Sequence, residues 1–424
     1  MSVIDNVGKI SFATRRGQGT VLYSPFQNTG RYIRNVDMKS YDSNYNGSYS
    51  LESYFNGCGD LVSVTNLSNN PNSNSVSMMN TFRNCRSLTF ISNIPSNVTN
   101  MNYTFYSCTS LTTVPNIPNS VISMDSTFSF CTSLTNAPTL PNNITSLEST
   151  FAYCTSLVNA PTIPSNVSSM PGTFVNCTSL VNPPVIPSSV RNMQSTFAGC
   201  TSLVNPPVIN ASNVDGQLAF SNCTSLTSLP DLSKFSNLKQ TFDRCTSLTT
   251  IDLSDVAIDI LDYTFENCSN LTTILNFSSN IKYIDGAFVS CTSLVNPPVI
   301  PSTIRSIEHT FEGCTSLIST PVIPNTIQSL YYTFKGCTSL TTVTDIPTSI
   351  SSLGSAFEGC TSLTGNIIIR SSNVTNVDNI FYGTTANKYV YIPYNSTTYN
   401  TFIAAGYDEN GTKEGVYLRD ISTL

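Results

Sequence analysis

Apolar residues return along the chain at a fixed set of points. Counted from Cys108 as position 1, they fall at positions 1, 4, 7, 10, 14, 17 and 21: Cys108, Leu111, Val114, Ile117, Val121, Met124 and Phe128. These intervals fit neither the 3.6-residue period of an amphipathic helix nor the period of two of a half-buried strand. What repeats is the whole unit. Cysteines stand at 58, 85, 108, 131, 154, 177, 200, 223, 245, 268, 291, 314, 337 and 360, mostly 23 residues apart, each with Phe three residues before it and Leu three after. One coil of that length cannot bury its apolar points alone. Stacking sets like position on like position and makes a continuous core. The pattern therefore predicts a β-rich repeat solenoid of short strands and turns.

Proline limits what each coil can contain. Position 11 is usually Pro, as in Pro118, Pro164, Pro187 and Pro324, and positions 7 and 8 carry Pro183 and Pro184 in one copy. Proline gives no backbone N–H, which excludes helices and long central strands there. Short extended pieces are expected near positions 4–10 and 13–17, with a turn or a short helical turn in the segment before each Cys. The copy from Cys200 lacks the position-11 proline and the next is one residue short, so an altered twist is expected near 210–245. The run NLSNNPNSNS (66–75) carries the extra residues of the first interval and predicts a surface bulge loop.

The ends depart from the array, giving three regions: 1–50 as a cap or attachment module, 51–384 as about 14 repeats, and 385–424 as a C-terminal cap. KISFATR and TVLYSPF alternate as strands do, ahead of the Tyr/Ser/Asn-rich SYDSNYNGSYS. KYVYIPY and GVYLRDI predict strands flanking a helix in STTYNTFIAAG, with Ser396 as N-cap and Gly406 past its end. Tyr399, Phe402 and Ile403 share a face of that helix and are expected to cover the last coil. Phe381 opens a final partial copy with Thr384 in place of cysteine.

Charge narrows the functional classes. Only 10% of residues are charged, with Ser, Thr and Asn in their place, so the surface is polar with a weak field. Residues 1–40 carry a net +4, which leaves −10 for the rest of a chain whose total is −6. An acidic array argues against nucleic acid as ligand. The basic segment is read either as a dock for an acidic partner or as a solvated end. No apolar run reaches the ~18 residues of a membrane span, so no membrane insertion is expected. MSVIDNVGKISFATRRGQG shows no apolar core of a secretion signal.

Candidate chemistry is sparse. The cysteines share one phase, so each neighbours only its copies in adjacent coils. Their side chains point in parallel, which is poor disulfide geometry. No close Cys pair of the zinc-site kind occurs. A ladder of buried thiols is expected. Eleven copies read CTSL, which predicts a hydroxyl ladder between coils. Thr or Ala at position 20 predicts tight packing between coils. The single histidine, His309, near Glu308 and Glu312, is expected to be an ordinary exposed loop residue. Without a nucleophile–base constellation or a phosphate loop, no catalytic residue, cofactor or metal is assigned, and the chain is read as a non-enzyme. Binding is assigned to variable positions where aromatics gather: Tyr103, Tyr263 and Tyr332 at position 19 and Tyr331 at position 18. The competing reading of these rings is edge packing between coils.

The unit CTSLTTVPNIPNSVISMDSTFSFC (108–131), together with GAFVSC (286–291) and SAFEGC (355–360), resembles the leucine-rich repeats of the BspA type. The resemblance covers roughly 50–384. It implies a leucine-rich-repeat-like, right-handed coil stack capped at both ends. It also implies a binding or structural role, since such repeats occur in bacterial and protist surface proteins and in phage structural proteins. The expected function is that of a virion component, a fibre, decoration or tail-associated protein. Its partners would be other virion proteins or a host surface protein or glycan, and a homo-oligomer is compatible with that role. The alternatives are a bacterial or protist cell-surface adhesin and an intracellular protein-binding scaffold.

Overall fold

The computed structural model describes residues 2–4, 9–12, 34–38, 51–67, 75–384 and 387–424. The chain is a β-solenoid of stacked coils that divides into two compact units, Met1–Val214 and Asp215–Leu424. The division falls in the copy that lost its position-11 proline. Most of the bulge run 66–75 lies outside the described residues, as do TVLYSPF and SYDSNYNGSYS.

In unit 1 the strand expected in KISFATR is present as Lys9–Phe12. It pairs antiparallel with Ser2–Ile4 on one side and parallel with Asn35–Asp37 on the other. The parallel sheet continues through Ser63–Thr65 to Phe90–Ile91. Beyond it the expected strands shrink to single bridges at position 6 (Asn136, Asn159, Asn182) and position 16 (Ser146, Ser169, Asn192). Proline explains the shortening. In unit 2, the two copies with Ile251 and Ile274 at position 7 form true strands, Thr250–Asp252 paired with Thr273–Leu275.

The densest backbone ladder lies in the segment expected to be a turn. Met101, Tyr103, Phe105 and Ser107 (positions 17, 19, 21 and 23) each donate to a carbonyl of the next coil, at 2.8, 3.0, 2.9 and 2.8 Å. The alternate N–H groups of Thr104, Tyr106 and Cys108 close turns onto Met101, Tyr103 and Phe105 at 3.0–3.2 Å. Two residues per coil take left-handed backbone to allow this, Tyr103 at φ 56° and Ser107 at φ 59° in this copy. The alternation explains Pro171. It sits at position 18, where the inter-coil ladder needs a carbonyl but no donor, and its carbonyl accepts from Ser149 N at 2.9 Å.

Cys177, Leu180, Ile186, Val190, Met193 and Phe197 are all fully buried, as the repeat predicts. Position 7 is the exception in the middle copies of unit 1, whereas Val64, Ile91, Ile251 and Val343 at the same position are buried. Val114, Ala137 and Pro183 are only half-buried. Residues two apart in an extended segment share a face, and position 7 shares its face with exposed Val158 and Val181 at position 5. Phenylalanines stack along the core, from Phe55 to Phe197 in unit 1 at centroid spacings of 5.4–5.7 Å. In unit 2 the column runs from Phe220 to Phe381 at 5.4–6.0 Å.

Polar groups in this core are satisfied across coils. The Thr104 hydroxyl lies 2.7 Å from the Met101 carbonyl and 2.9 Å from that of Met78, one coil back. The Cys108 thiol donates to the Phe82 carbonyl at 3.1 Å, and Cys177 to Phe151 at the same distance. The position-2 hydroxyls form the expected ladder, with Thr201 donating to Thr178 O at 3.3 Å. All fourteen cysteines are buried as thiols. Burial pushes the Cys177 thiol up to about 12, far from the reactive thiolate. A disulfide-exchange reagent is therefore expected to label almost none of them in the native protein. Cys58, at the N-terminal end of the column, should react first, and all fourteen should react after denaturation. Rapid native labelling of Cys108–Cys200 would contradict this packing.

The C-terminal elements appear as expected, with strands Lys388–Ile392 and Val416–Asp420 around the helix Thr397–Ala404. Ser396 caps the helix by accepting from Tyr399 N at 3.1 Å, and Gly406 follows at φ 89°. The buried face differs from expectation. Phe402 is buried and Tyr399 half-buried, but Ile403 is exposed and Thr398 takes the inner place. The Thr398 hydroxyl donates to Ser371 O at 2.7 Å and accepts from Val374 N at 3.0 Å. The last coil presents open backbone groups, and a hydroxyl answers them where a methyl cannot. Tyr407 closes the phenylalanine column edge-on against Phe381 at 6.1 Å. Where the cysteine ladder ends, Thr384 instead accepts from the buried Lys388 ammonium at 2.9 Å. That ammonium also donates to Glu414 O at 3.1 Å, and burial lowers its pKa.

Candidate binding face

The turn segment carries positions 18, 19, 22 and 23, where the side chains change from copy to copy and range from buried Ser129 to exposed Tyr331. Each position-19 residue has left-handed backbone, which costs an L-residue roughly 1–2 kcal/mol. The side chain placed there therefore stands at a fixed, strained corner of every coil.

In unit 1 these corners build an aromatic patch. Tyr103 lies 5.9 Å from Tyr106, Tyr106 lies 5.3 Å from Phe130, and Phe130 stacks on Tyr153 at 4.3 Å. The Arg83 guanidinium covers one end, 5.4 Å from the Tyr103 ring centre and 4.9 Å from that of Tyr106. In unit 2 a second patch brings together Tyr331 and Tyr332, edge to face at 4.3 Å. His309 stacks on Tyr332 at 4.8 Å and its Nδ1 is 2.7 Å from Glu312 Oε2. The Lys335 ammonium lies 4.4 Å above the Tyr332 ring and 3.2 Å from Glu358 Oε1.

Three of the four tyrosines assigned from sequence fall in these two patches. Tyr103 belongs to the first; Tyr331 and Tyr332 belong to the second. Tyr263 stands in the same column as Tyr332, two coils before His309, and its ring lies flat over Gly286. A Cβ on Gly286 would meet that ring at 2.4 Å. His309 is corrected by the structure. It is half-buried within the aromatic column rather than an ordinary exposed loop residue. Its position-19 register, shared with Tyr263 and Tyr332, was the signal. Arg83 was also missed, and only the spatial closeness of positions 19 and 22 reveals it.

Electrostatics differ between the patches. In unit 2, Asp262, Asp285 and Glu308 occupy position 18 of three successive coils. Burial raises the Asp285 carboxyl above its ordinary range, opposed by its hydrogen bonds from Ser306 and Glu308 N; neighbouring Glu308 raises it further. Burial raises Asp262 too, with Asp285 adding to the shift. On another face, position-5 and position-9 valines are exposed, Val299 by 88%. An open hollow in unit 2 is lined by residues that include Asp252 and Asp255, whose carboxylates accept from Ser254 N and Leu232 N. Among the described residues no group of three or more His, Cys, Asp or Glu is arranged to hold a metal ion. No helix among them is long and apolar enough to cross a membrane.

The BspA type leucine rich repeat region matches in six copies over residues 51–181, 194–318 and 285–405. No curated protein matches in sequence. Among solved structures, a leucine-rich repeat protein from Bacteroides ovatus is 21% identical over 84% of this chain and 92% of its own, with a TM-score of 0.52. A leucine rich cell surface protein from Faecalibacterium prausnitzii is 21% identical over 87% of this chain and 92% of its own, with a TM-score of 0.45. The first of these shows the fold.

Proposed function

Since the chain belongs to the BspA-type leucine-rich repeat family, we propose that it is a non-enzymatic recognition protein displayed on the exterior of a virion or a cell, with the turn strip as its binding face. One observation carries this reading. Aromatic rings occupy strained left-handed corners at Tyr103, Tyr263, His309 and Tyr332, where adjoining copies also manage with Asn80, Ser126, Gln240, Gly286 or Ser355. The core does not need these rings. The fold imposes left-handed backbone at every such corner but asks for no ring there, so rings kept at these corners mark a surface kept for contact. Surface tyrosines, Tyr331 exposed and Tyr103, Tyr263 and Tyr332 half-buried, suit a protein or glycan partner, offering area with one polar tip. Family membership supports exterior display, because such arrays serve on bacterial and protist surfaces and on phage particles.

The triple variant Tyr103→Ser, Tyr331→Ser, Tyr332→Ser tests the face. Serine stands at position 19 in other copies, so the fold should be kept, with an unfolding midpoint close to the parent. Binding of the labelled protein to intact bacterial and epithelial cells should fall at least about tenfold, as the loss of aromatic anchors does elsewhere. Unchanged binding would remove the turn strip as the face. Mass spectrometry of purified virions, beside protease shaving of intact cells, decides between the two carriers. A protein found only in the cytosol would overturn both.

A further inference from the structure

Three successive coils of unit 2 give the strip a distinct chemistry. At positions 18, 19, 22 and 23 around Phe265, Phe288 and Phe311 there are five carboxylates, Asp262, Glu266, Asp285, Glu308 and Glu312, and no Lys or Arg. Lys282 and Arg305 stand at position 15 of these coils, with Lys282 held by the Ser279 carbonyl at 2.9 Å; one coil earlier, Lys239 and Arg244 lie near Asp262 and Glu266 and oppose the rise that burial gives those two carboxyls. Tyr263 and His309 lie among the carboxylates, and Tyr331 and Tyr332 follow them. The equivalent strip of unit 1 has only Asp125 and Glu148 beside its aromatic patch.

At its own edge this surface shows how it holds a cation. Lys335 sits 4.4 Å over the Tyr332 ring while pairing with Glu358 at 3.2 Å. One coil face thus offers both halves of an ammonium site, a π-face and a carboxylate. Between Tyr263 and Tyr332 the same elements are present without such a cation at those positions. The Asp262 Oδ1 atom is shielded from solvent and has no hydrogen-bond donor.

We infer that the strip from Tyr263 to Tyr332 docks a short lysine- or arginine-bearing peptide segment of a protein partner. The inference rests on the binding-face reading above and names the partner chemistry for one patch of it. Three coil steps at ~4.8 Å make a strip of ~14 Å, the length of about four extended residues. A segment with basic residues at alternate positions lays its cations on the strip and turns the intervening side chains outward. Charge complementarity selects the ligand, and the flanking rings supply contact area.

The probe is a fluorescein-labelled Gly-Lys-Gly-Lys-Gly-Lys peptide titrated against the full chain by anisotropy, with the Lys→Gln peptide as control. The Lys peptide should bind, the Gln peptide should not, and the affinity should drop about tenfold between about 20 and about 200 mM NaCl. The double variant Asp285→Asn, Glu308→Gln should weaken binding about tenfold. The unit 1 pair Asp125→Asn, Glu148→Gln should leave it unchanged. Equal loss in both pairs would reduce the effect to net charge and overturn the proposal, as would binding of the Gln peptide. Competition by spermine as strong as that by the Lys peptide would assign the strip to free polyamines instead. If the Lys peptide does not bind while the triple tyrosine variant still loses cell binding, this inference falls and the binding face stands. If neither effect is seen, both fall.

Discussion

Phe174→Ala is expected to lower the unfolding free energy of unit 1 by about 3–5 kcal/mol, measured by denaturant titration. Phe174 is fully buried and stacks on Phe151 at 5.7 Å and on Phe197 at 5.5 Å. Removing it loses the transfer energy of the ring and leaves a cavity. The cavity cannot collapse, because the coils above and below are fixed by the inter-coil ladder, including Phe174 N to Thr196 O at 2.8 Å. In a repeat array each coil draws its stability from its neighbours, so one missing ring weakens two interfaces. Val158→Ala, at an exposed corner, should change the same measurement by less than about 0.5 kcal/mol. A Phe174 variant as stable as that control would mean the aromatic column is not the core of the stack.

The second large effect comes from proline placed one residue apart. Ser149→Pro should cost about 3 kcal/mol or more, while Glu148→Pro should cost no more than about 1 kcal/mol. Ser149 has φ 50°, which the pyrrolidine ring forbids, and its N–H donates to Pro171 O in the next coil at 2.9 Å. Glu148 is at position 18, the position Pro171 already occupies one coil on. Its N–H makes only a local bond to Ser146 Oγ at 3.2 Å. Paired thermal unfolding of the two variants measures the difference. Equal destabilisation would refute the alternating donor pattern of the turn ladder.

That ladder also marks where the sequence stops being transparent. The stacking residues were legible because burial imposes one beat on chemically distinct side chains, and Phe, Cys and Leu keep it through all fourteen copies. The turn ladder was not, because its left-handed corners are filled by Ser, Asn, Tyr and His as well as glycine. A faint sign was present. Gly172 and Gly286 fall at position 19, and Gly199, Gly313, Gly336 and Gly359 at position 23, the two phases with positive φ. Strands were expected to carry the sheet, but the prolines that punctuate positions 7, 8 and 11 moved that work to the turns. The candidate face was half legible. Tyr331 and Tyr332 meet as neighbours in sequence and in space, whereas the His309–Tyr332 stack joins residues 23 apart that only the coil register brings together. Ile403 was misplaced because apolarity was taken as the criterion for a cap, when the end of a coil stack is chiefly a row of unfilled hydrogen-bonding groups that Thr398 can fill.

The thiol column has a consequence for where such a protein can operate. Along the column sulfurs donate to a carbonyl of the neighbouring coil, as Cys131 does to Phe105 at 3.1 Å, and burial keeps that thiol protonated. The folded chain therefore has no covalent choice to make. It can be completed in a glutathione-buffered compartment and then work in air-equilibrated surroundings with the same connectivity, needing neither an oxidase to finish it nor an isomerase to correct it. Fourteen cysteines, usually the mark of a fold tied to one redox environment, here leave the molecule indifferent to it.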